Sequence, residues 1–167
     1  EEWLGTTRAW IDLLVDQSPQ GLEVVRGAST YTMMGNWKLQ AENGVDGYHV
    51  STVHRNFATT VSNREQKNQV DGMKQTEAGR IKGNVRSGCY YFGNGHMAIW
   101  AQHTTPQVRP LWRQKERLEK TFPPERVDWM LNRGRNLYLF PNVFIMDNPS
   151  TQIRTLLPIA PGICEVT

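Results

Sequence analysis

From Asp46 to His54 the sequence reads Asp-Gly-Tyr-His-Val-Ser-Thr-Val-His, which sets a carboxylate, a phenol (Tyr48) and two imidazoles within nine residues. Two of the chain's four histidines, His49 and His54, stand here five residues apart. Neutral imidazole is the commonest protein ligand for a transition metal, so a metal site is the first chemistry to weigh. On a regular helix Asp46 and His49 share a face, whereas His49 and His54 point about 140° apart. Both histidines serve one ion only if the helix bends or ends, and Gly47 with the β-branched Val50, Thr52 and Val53 favours such a break. The spacing is not the His-x-x-x-His of zinc proteases. Two histidines and a carboxylate on one face of an octahedron, with positions left open, characterise non-haem iron(II) oxygenases. The competing reading makes His49 and His54 ordinary half-buried histidines bonded to backbone carbonyls.

The elements that must position these groups follow from periodicity and turn signals. Ala9 to Val15 has helical apolar spacing, closed by Pro19 and Gly21. Leu22 to Val25 and Thr30 to Met34, about Arg26-Gly27, predict a hairpin, and Trp37 to about Tyr48 predicts an imperfect helix. The polar run 61–86 reads as a long exposed connection or cover. Cys89 to Phe92 and His96 to Trp100 about Gly93-Asn94-Gly95 form a second hairpin signal. Leu111 to Arg133 is helical with a break at Pro123-Pro124. Leu137 to Phe140, Val143 to Met146 and Gln152 to Leu157 are strands, and Cys164 to Thr167 looks like a strand beginning. Hairpin-linked strands with helices between them predict an α+β fold with an antiparallel sheet, and the ends suggest a piece truncated on both sides.

Composition narrows the class. A chain of 167 residues suits one domain with a single core, and no apolar run approaches the roughly 18 residues that span a bilayer. The formal charge of +3 comes from 19 basic and 16 acidic residues. Its densest cluster, Arg113 to Arg126, interleaves Glu116, Glu119 and Glu125 as a solvated helix face does, so nucleic acid is not an expected partner. Cys89 and Cys164 form no Cys-x-x-Cys pair and read as core thiols in a reduced, cytoplasmic setting. His96, beside a turn, is expected to face solvent or bond locally. His103 has no carboxylate near it, and Trp100, Trp112 and Trp129 read as core or interface.

Gly35-Asn36-Trp37-Lys38-Leu39, then Glu42-Asn43, then Asp46-x-Tyr48-His49-x-x-x-x-His54, resembles the catalytic domain of aromatic-ring-hydroxylating dioxygenase large (alpha) subunits, the Rieske non-haem iron oxygenases. Phe140-Pro141-Asn142 and Gln152-Ile153-Arg154 look like that family's continuing strands. The wording around the motif, with Asp16-Gln17-Ser18-Pro19 and Gly21-Leu22-Glu23-Val24, is nearest the benzoate, anthranilate and 2-halobenzoate branch. The resemblance implies a partial catalytic domain of helix-grip type over 1–167. His49 and His54 would bind mononuclear Fe(II), and Asp46 would hydrogen-bond a histidine and bridge electron entry. Asn43, Val50 and Asn142 would lie on the substrate side.

The resemblance also implies dioxygen and an aromatic carboxylate as substrates, NADH-derived electrons passed through a reductase, and a small beta subunit in a hetero-oligomer. Arg154 is the candidate partner for the substrate carboxylate, because a buried carboxylate needs a cation; the other reading makes it an outward surface arginine. A [2Fe-2S] Rieske cluster needs two cysteines and two histidines in paired motifs, and neither Cys89 nor Cys164 offers one, so the Rieske domain is expected elsewhere in the parent. The third iron ligand, an aspartate in this family, is expected beyond Thr167, with Asp147 a weaker substitute. Two other classes remain in play: a helix-grip ligand-binding module without catalysis, and a metal-dependent hydrolase using Glu42 as base.

Overall fold

The computed structural model describes residues 2–66, 85–147 and 151–167. The chain divides into two compact units, Glu1–Asp46 with Cys89–Ile99 and Arg135–Thr167, and Gly47–Gly88 with Trp100–Gly134.

An antiparallel sheet, most of it in the first unit, organises the chain. Its strands are β1 (Tyr31–Met33), β2 (Ser87–Gly93), β3 (His96–Gln102), β4 (Arg133–Leu139), β5 (Val143–Asp147), β6 (Thr151–Ala160) and β7 (Ile163–Val166), in the spatial order β1-β7-β6-β5-β4-β3-β2. The expected α+β class is the one observed. Asn94 and Gly95 take φ of 51° and 81°, the left-handed pair that a two-residue hairpin turn requires, so the Gly-Asn-Gly signal is realised between β2 and β3. Between β6 and β7 the register shifts at Pro158 and Ala160, a bulge at a residue that cannot donate to a ladder.

One face of the sheet carries the core. Phe144, Leu156, Cys164 and Val166 are essentially buried and gather with Tyr138, Met146 and Ala41. The Tyr138 and Phe144 rings stack with centroids 4.7 Å apart. Burial raises the Tyr138 phenol above its ordinary pKa of 10, which keeps it protonated as donor to the Pro141 carbonyl. Burial likewise raises the Cys164 thiol. Cys89, by contrast, is exposed on β2 and not the core thiol its apolar neighbours predict. β2 is the last strand of the sheet, and Tyr90 and Tyr91 beside Cys89 are exposed too, at 44% and 69%.

Helix α1 (Arg8–Val15) buries Leu13 and Leu14 and ends shortly before Pro19, as its pattern predicts. Helix α2 (Trp37–Val45) starts where the Asn36 side chain accepts the Lys38 N–H at 3.0 Å. It buries Ala41, and Gly44 brings its backbone so close to the core that a Cβ there would collide with the Phe144 ring. Glycine weakens a helix by about 1 kcal/mol, and this contact is its reason for being there.

The predicted first hairpin does not form. Leu22, Val24 and Val25 are 50%, 77% and 84% exposed in irregular chain, and β1 pairs instead with β7, Met33 opposite Cys164. β-propensity measures fit to a half-buried surface. Met33 has one against the core cluster, and Leu22 to Val25 have none.

The second unit is helical. Helices α3 (Val50–Val53) and α4 (Arg55–Gln66) follow one another, then two 3-10 turns (Pro106–Val108 and Pro110–Gln114), then α5 (Lys115–Thr121) and α6 (Pro124–Leu131) on either side of Pro123. The polar stretch predicted as an exposed connection is therefore helix over 61–66. Its continuation over 67–84 lies outside the described residues. Leu118, Val127, Met130 and Leu131 are buried between α5 and α6. Arg109 closes α6 by donating to the Met130 and Leu131 carbonyls, both at 3.1 Å. The Arg133 guanidinium lies 3.9 Å from the Trp129 ring centroid and 4.9 Å from that of Trp100. Lys120 and Glu116 pair at 2.7 Å on the solvated face of α5. No helix among the described residues is long and apolar enough to cross a membrane.

Arg135 and Asp147 form a buried ion pair at 2.8 Å, each less than a tenth exposed. Removing one partner strands the other charge, so Asp147→Ala in the complete subunit is expected to cost about 3–5 kcal/mol in urea unfolding, and Arg135→Met with Asp147→Leu much less. An Asp147→Ala loss below about 1 kcal/mol would show that the pair does not hold β4 to β5.

Candidate metal centre

Helix α2 stops at Val45 rather than continuing to Tyr48, because Asp46 takes extended backbone (φ −93°, ψ 122°). Gly47 follows, and His49 then begins a helix of only four residues, Val50–Val53, three of them β-branched and poor at propagating a helix. His54, at φ −88° and ψ 4°, ends that turn before α4 starts at Arg55. The two histidines thus flank one helical turn, His49 half-buried and His54 exposed. The break that the sequence demands is present.

It brings the imidazoles together. His49 Nε2 and His54 Nε2 lie 3.2 Å apart, with ring centroids at 5.1 Å. Imidazole nitrogens bind first-row metals at about 2.0–2.1 Å, and two such bonds at a right angle separate the nitrogens by about 3 Å. The pair therefore fits two neighbouring positions on one ion. In the absence of a metal, one Nε2 would carry hydrogen and the other accept it. Among the described residues no group of three or more His, Cys, Asp and Glu side chains gathers to hold an ion.

The other predicted residues fall as follows. Asp46 is half-buried at the end of α2, and Asn43 is exposed on it, as is Glu42. Val50 is half-buried as the first residue of α3. Tyr48 is 89% exposed. Arg154 stands opposite Phe144 in the β5–β6 register, so it shares the core-bearing face and is not an outward arginine; its Nη2 donates to Gln152 Oε1 at 3.3 Å. Asn142 ties β5 to β6, its Nδ2 donating to the Leu156 carbonyl at 3.0 Å and its own carbonyl accepting the Leu156 N–H at 2.8 Å. Asp147 is committed to Arg135.

His96 departs from expectation. It is 1% exposed, its Nδ1 accepts the Phe140 N–H at 3.1 Å, and its Nε2, which must then carry the hydrogen, donates to the Trp3 carbonyl at 3.0 Å. Partners 44 and 93 residues away give a turn-side histidine two buried bonds that no local pattern announces. His103 is buried too, its backbone N–H donating to the Asn132 carbonyl at 2.8 Å.

Residues 22–167 match the family described as ring hydroxylating alpha subunit, catalytic domain. Over its whole length the chain is 46% identical to toluate 1,2-dioxygenase subunit alpha of Pseudomonas putida, of which it covers 37%. It is 41% identical, again over its whole length, to the 2-halobenzoate 1,2-dioxygenase large subunit of Burkholderia cepacia, covering 36% of that protein. Identity to the anthranilate 1,2-dioxygenase large subunit of Acinetobacter baylyi is 42%, with 99% of this chain and 37% of the relative covered. The chain thus spans little more than a third of the length of the curated relatives it matches. Among solved structures, naphthalene 1,2-dioxygenase with indole bound in the active site superposes with a TM-score of 0.73 at 21% identity, over 99% of this chain and 37% of that one, a likeness of fold.

Anaerobic titration of the complete subunit with iron(II) is expected to show one tight site that His49→Ala and His54→Ala each abolish. Equal binding by all three proteins would make the pair a structural contact.

Proposed function

The chain belongs to the family of ring-hydroxylating alpha subunits, within their catalytic domain, and from that membership we propose that the complete subunit adds both atoms of dioxygen to the ring of an aromatic carboxylate of the benzoate, toluate, anthranilate or 2-halobenzoate kind, giving a cis-dihydrodiol. The observation that carries this reading is the convergence of His49 Nε2 and His54 Nε2 at 3.2 Å. The two rings would hold a mononuclear iron(II) together with an aspartate assigned beyond Thr167, and iron bound there would supply the redox chemistry that activates dioxygen.

This chain's own groups set the terms of that chemistry. A ligand histidine must keep its hydrogen on Nδ1, and Asp46 is the carboxylate assigned to accept it, which fixes the tautomer and raises the ring's basicity. Asp46 is also the assigned point of electron entry. Asn43, Val50 and Asn142 are each assigned to the substrate side. Arg154 is the cation assigned to the substrate carboxylate, and its place on the core-bearing face, half-buried, supports that role over a surface one. Electrons are assigned to NADH through a reductase and a [2Fe-2S] Rieske cluster held outside this chain. A small beta subunit completes a cytoplasmic hetero-oligomer.

The test is NADH-dependent oxygen uptake by the complete subunit with its beta subunit and reductase, benzoate, 2-halobenzoate, toluate and anthranilate being offered in turn. At least one acid should give uptake coupled to diol formation, and His49→Ala or His54→Ala should cut turnover by more than about 100-fold, beyond what losing a supporting partner costs. Calorimetric binding of these acids without oxygen uptake would instead make the protein a ligand-binding module.

Arg154→Lys is expected to raise KM for the carboxylate by about tenfold, the worth of roughly 1.4 kcal/mol, with kcat little changed. An unaltered KM would remove Arg154 from the site.

A further inference from the structure

We propose that Thr52 is a positioning residue for the metal-binding pair: its hydroxyl, bonded back to the His49 carbonyl, closes the one-turn helix α3 so that the two imidazoles meet. This rests on the iron(II) reading of His49 and His54.

Thr52 Oγ1 donates to the His49 carbonyl oxygen at 3.0 Å, three residues back. The same oxygen accepts the backbone N–H of Thr52 at 3.1 Å and of Val53 at 2.7 Å. A carbonyl oxygen has two lone pairs, so three donors saturate it, and the His49 peptide becomes the anchor of the turn. Burial and capping give α3 little support. It has four residues, none of them fully buried, and His49 at its N-cap makes no side-chain capping bond. Helices this short do not persist on propensity, and Val50, Thr52 and Val53 disfavour one.

The bond also has the right form. Threonine hydroxyls that bond back to a carbonyl three or four residues earlier often bend a helix. Thr59 and Thr121 make the four-residue version, to the Arg55 carbonyl at 3.0 Å and the Arg117 carbonyl at 2.8 Å, inside α4 and α5. Only Thr52, of these three, bonds to a residue of the histidine pair. Regular helix would send His49 and His54 about 140° apart. The turn that Thr52 closes leaves their Nε2 atoms 3.2 Å apart.

The test uses the complete subunit, anaerobic iron(II) titration and the ligand-field absorption of the cobalt(II)-substituted protein. Thr52→Val removes the hydroxyl at nearly constant shape and Thr52→Ser keeps it. Thr52→Val is expected to bind iron(II) about 10- to 100-fold more weakly, the usual effect of losing an outer partner of a ligand, and to shift the cobalt bands. Thr52→Ser should stay near wild type, as should Thr59→Val, which removes the corresponding bond in α4. Wild-type affinity and spectrum in Thr52→Val would overturn the proposal, as would equal losses in Thr52→Val and Thr52→Ser. Should Thr52→Val fail to fold, judged by its thermal transition, Thr52→Ala takes its place in the same comparison. His49→Ala and His54→Ala separate the two claims. If they lose iron while Thr52→Val keeps it, only the role of Thr52 falls; if they keep iron, the metal reading itself falls.

Discussion

Two imidazoles five residues apart meet only where the helix between them stops being regular, and this constraint governs the segment from Asp46 to Arg55. Extended Asp46 ends α2, a single turn carries His49 to His54, and the backbone at His54 breaks the axis again before α4. Each break uses a residue that a long helix would reject: Gly47, then three β-branched side chains in a row of four. Poor helix formers are an advantage here, because a good helix would hold the two imidazoles apart. The cost is a segment with little burial of its own, held by hydrogen bonds to one carbonyl.

The residues ahead of that segment are fixed far more firmly. Asn36 caps α2, Ala41 enters the core, and Gly44 lets the helix backbone lie against the Phe144 ring. Phe144 gathers with Leu156, Cys164 and Val166 in one buried cluster, Leu156 standing opposite Val166 in the β6–β7 register, so α2 rests on close-packed core. Interiors are close-packed and transmit displacement, and a shift of Phe144 would be felt at the end of α2, where Asp46 begins.

Sequence made much of this legible, and for identifiable reasons. Asn94-Gly95 announces its hairpin because only residues tolerant of positive φ fill such a turn. Pro123-Pro124 announces the gap between α5 and α6 because proline cannot sit inside a helix. The motif around His49 and His54 was legible as residue types and as a family resemblance, and the need for a bend followed from the angle alone. Failures came where a distant partner decides. Leu22 to Val25 has strand composition, yet its side chains stay exposed while Met33 packs against the core and β1 pairs with β7. His96 looked like a turn residue until Trp3 and the Phe140 peptide closed on it. The Thr52 hydroxyl, three residues after His49, bonds back to the His49 carbonyl, a contact that no pattern of residue types announces.

Charge commitment explains why Asp147 is no substitute ligand, although an acidic residue at a strand end invites the assignment. A buried arginine cannot shed its proton, so Arg135 requires a carboxylate at contact distance, and Asp147 meets that requirement at 2.8 Å. Were Asp147 to turn towards an ion, it would leave a guanidinium stranded in a site less than a tenth exposed, a penalty of several kcal/mol to be subtracted from any metal affinity gained. By contrast, the half-buried His49 and the exposed His54 meet across a single helical turn, and the shape of that turn is what brings their rings together.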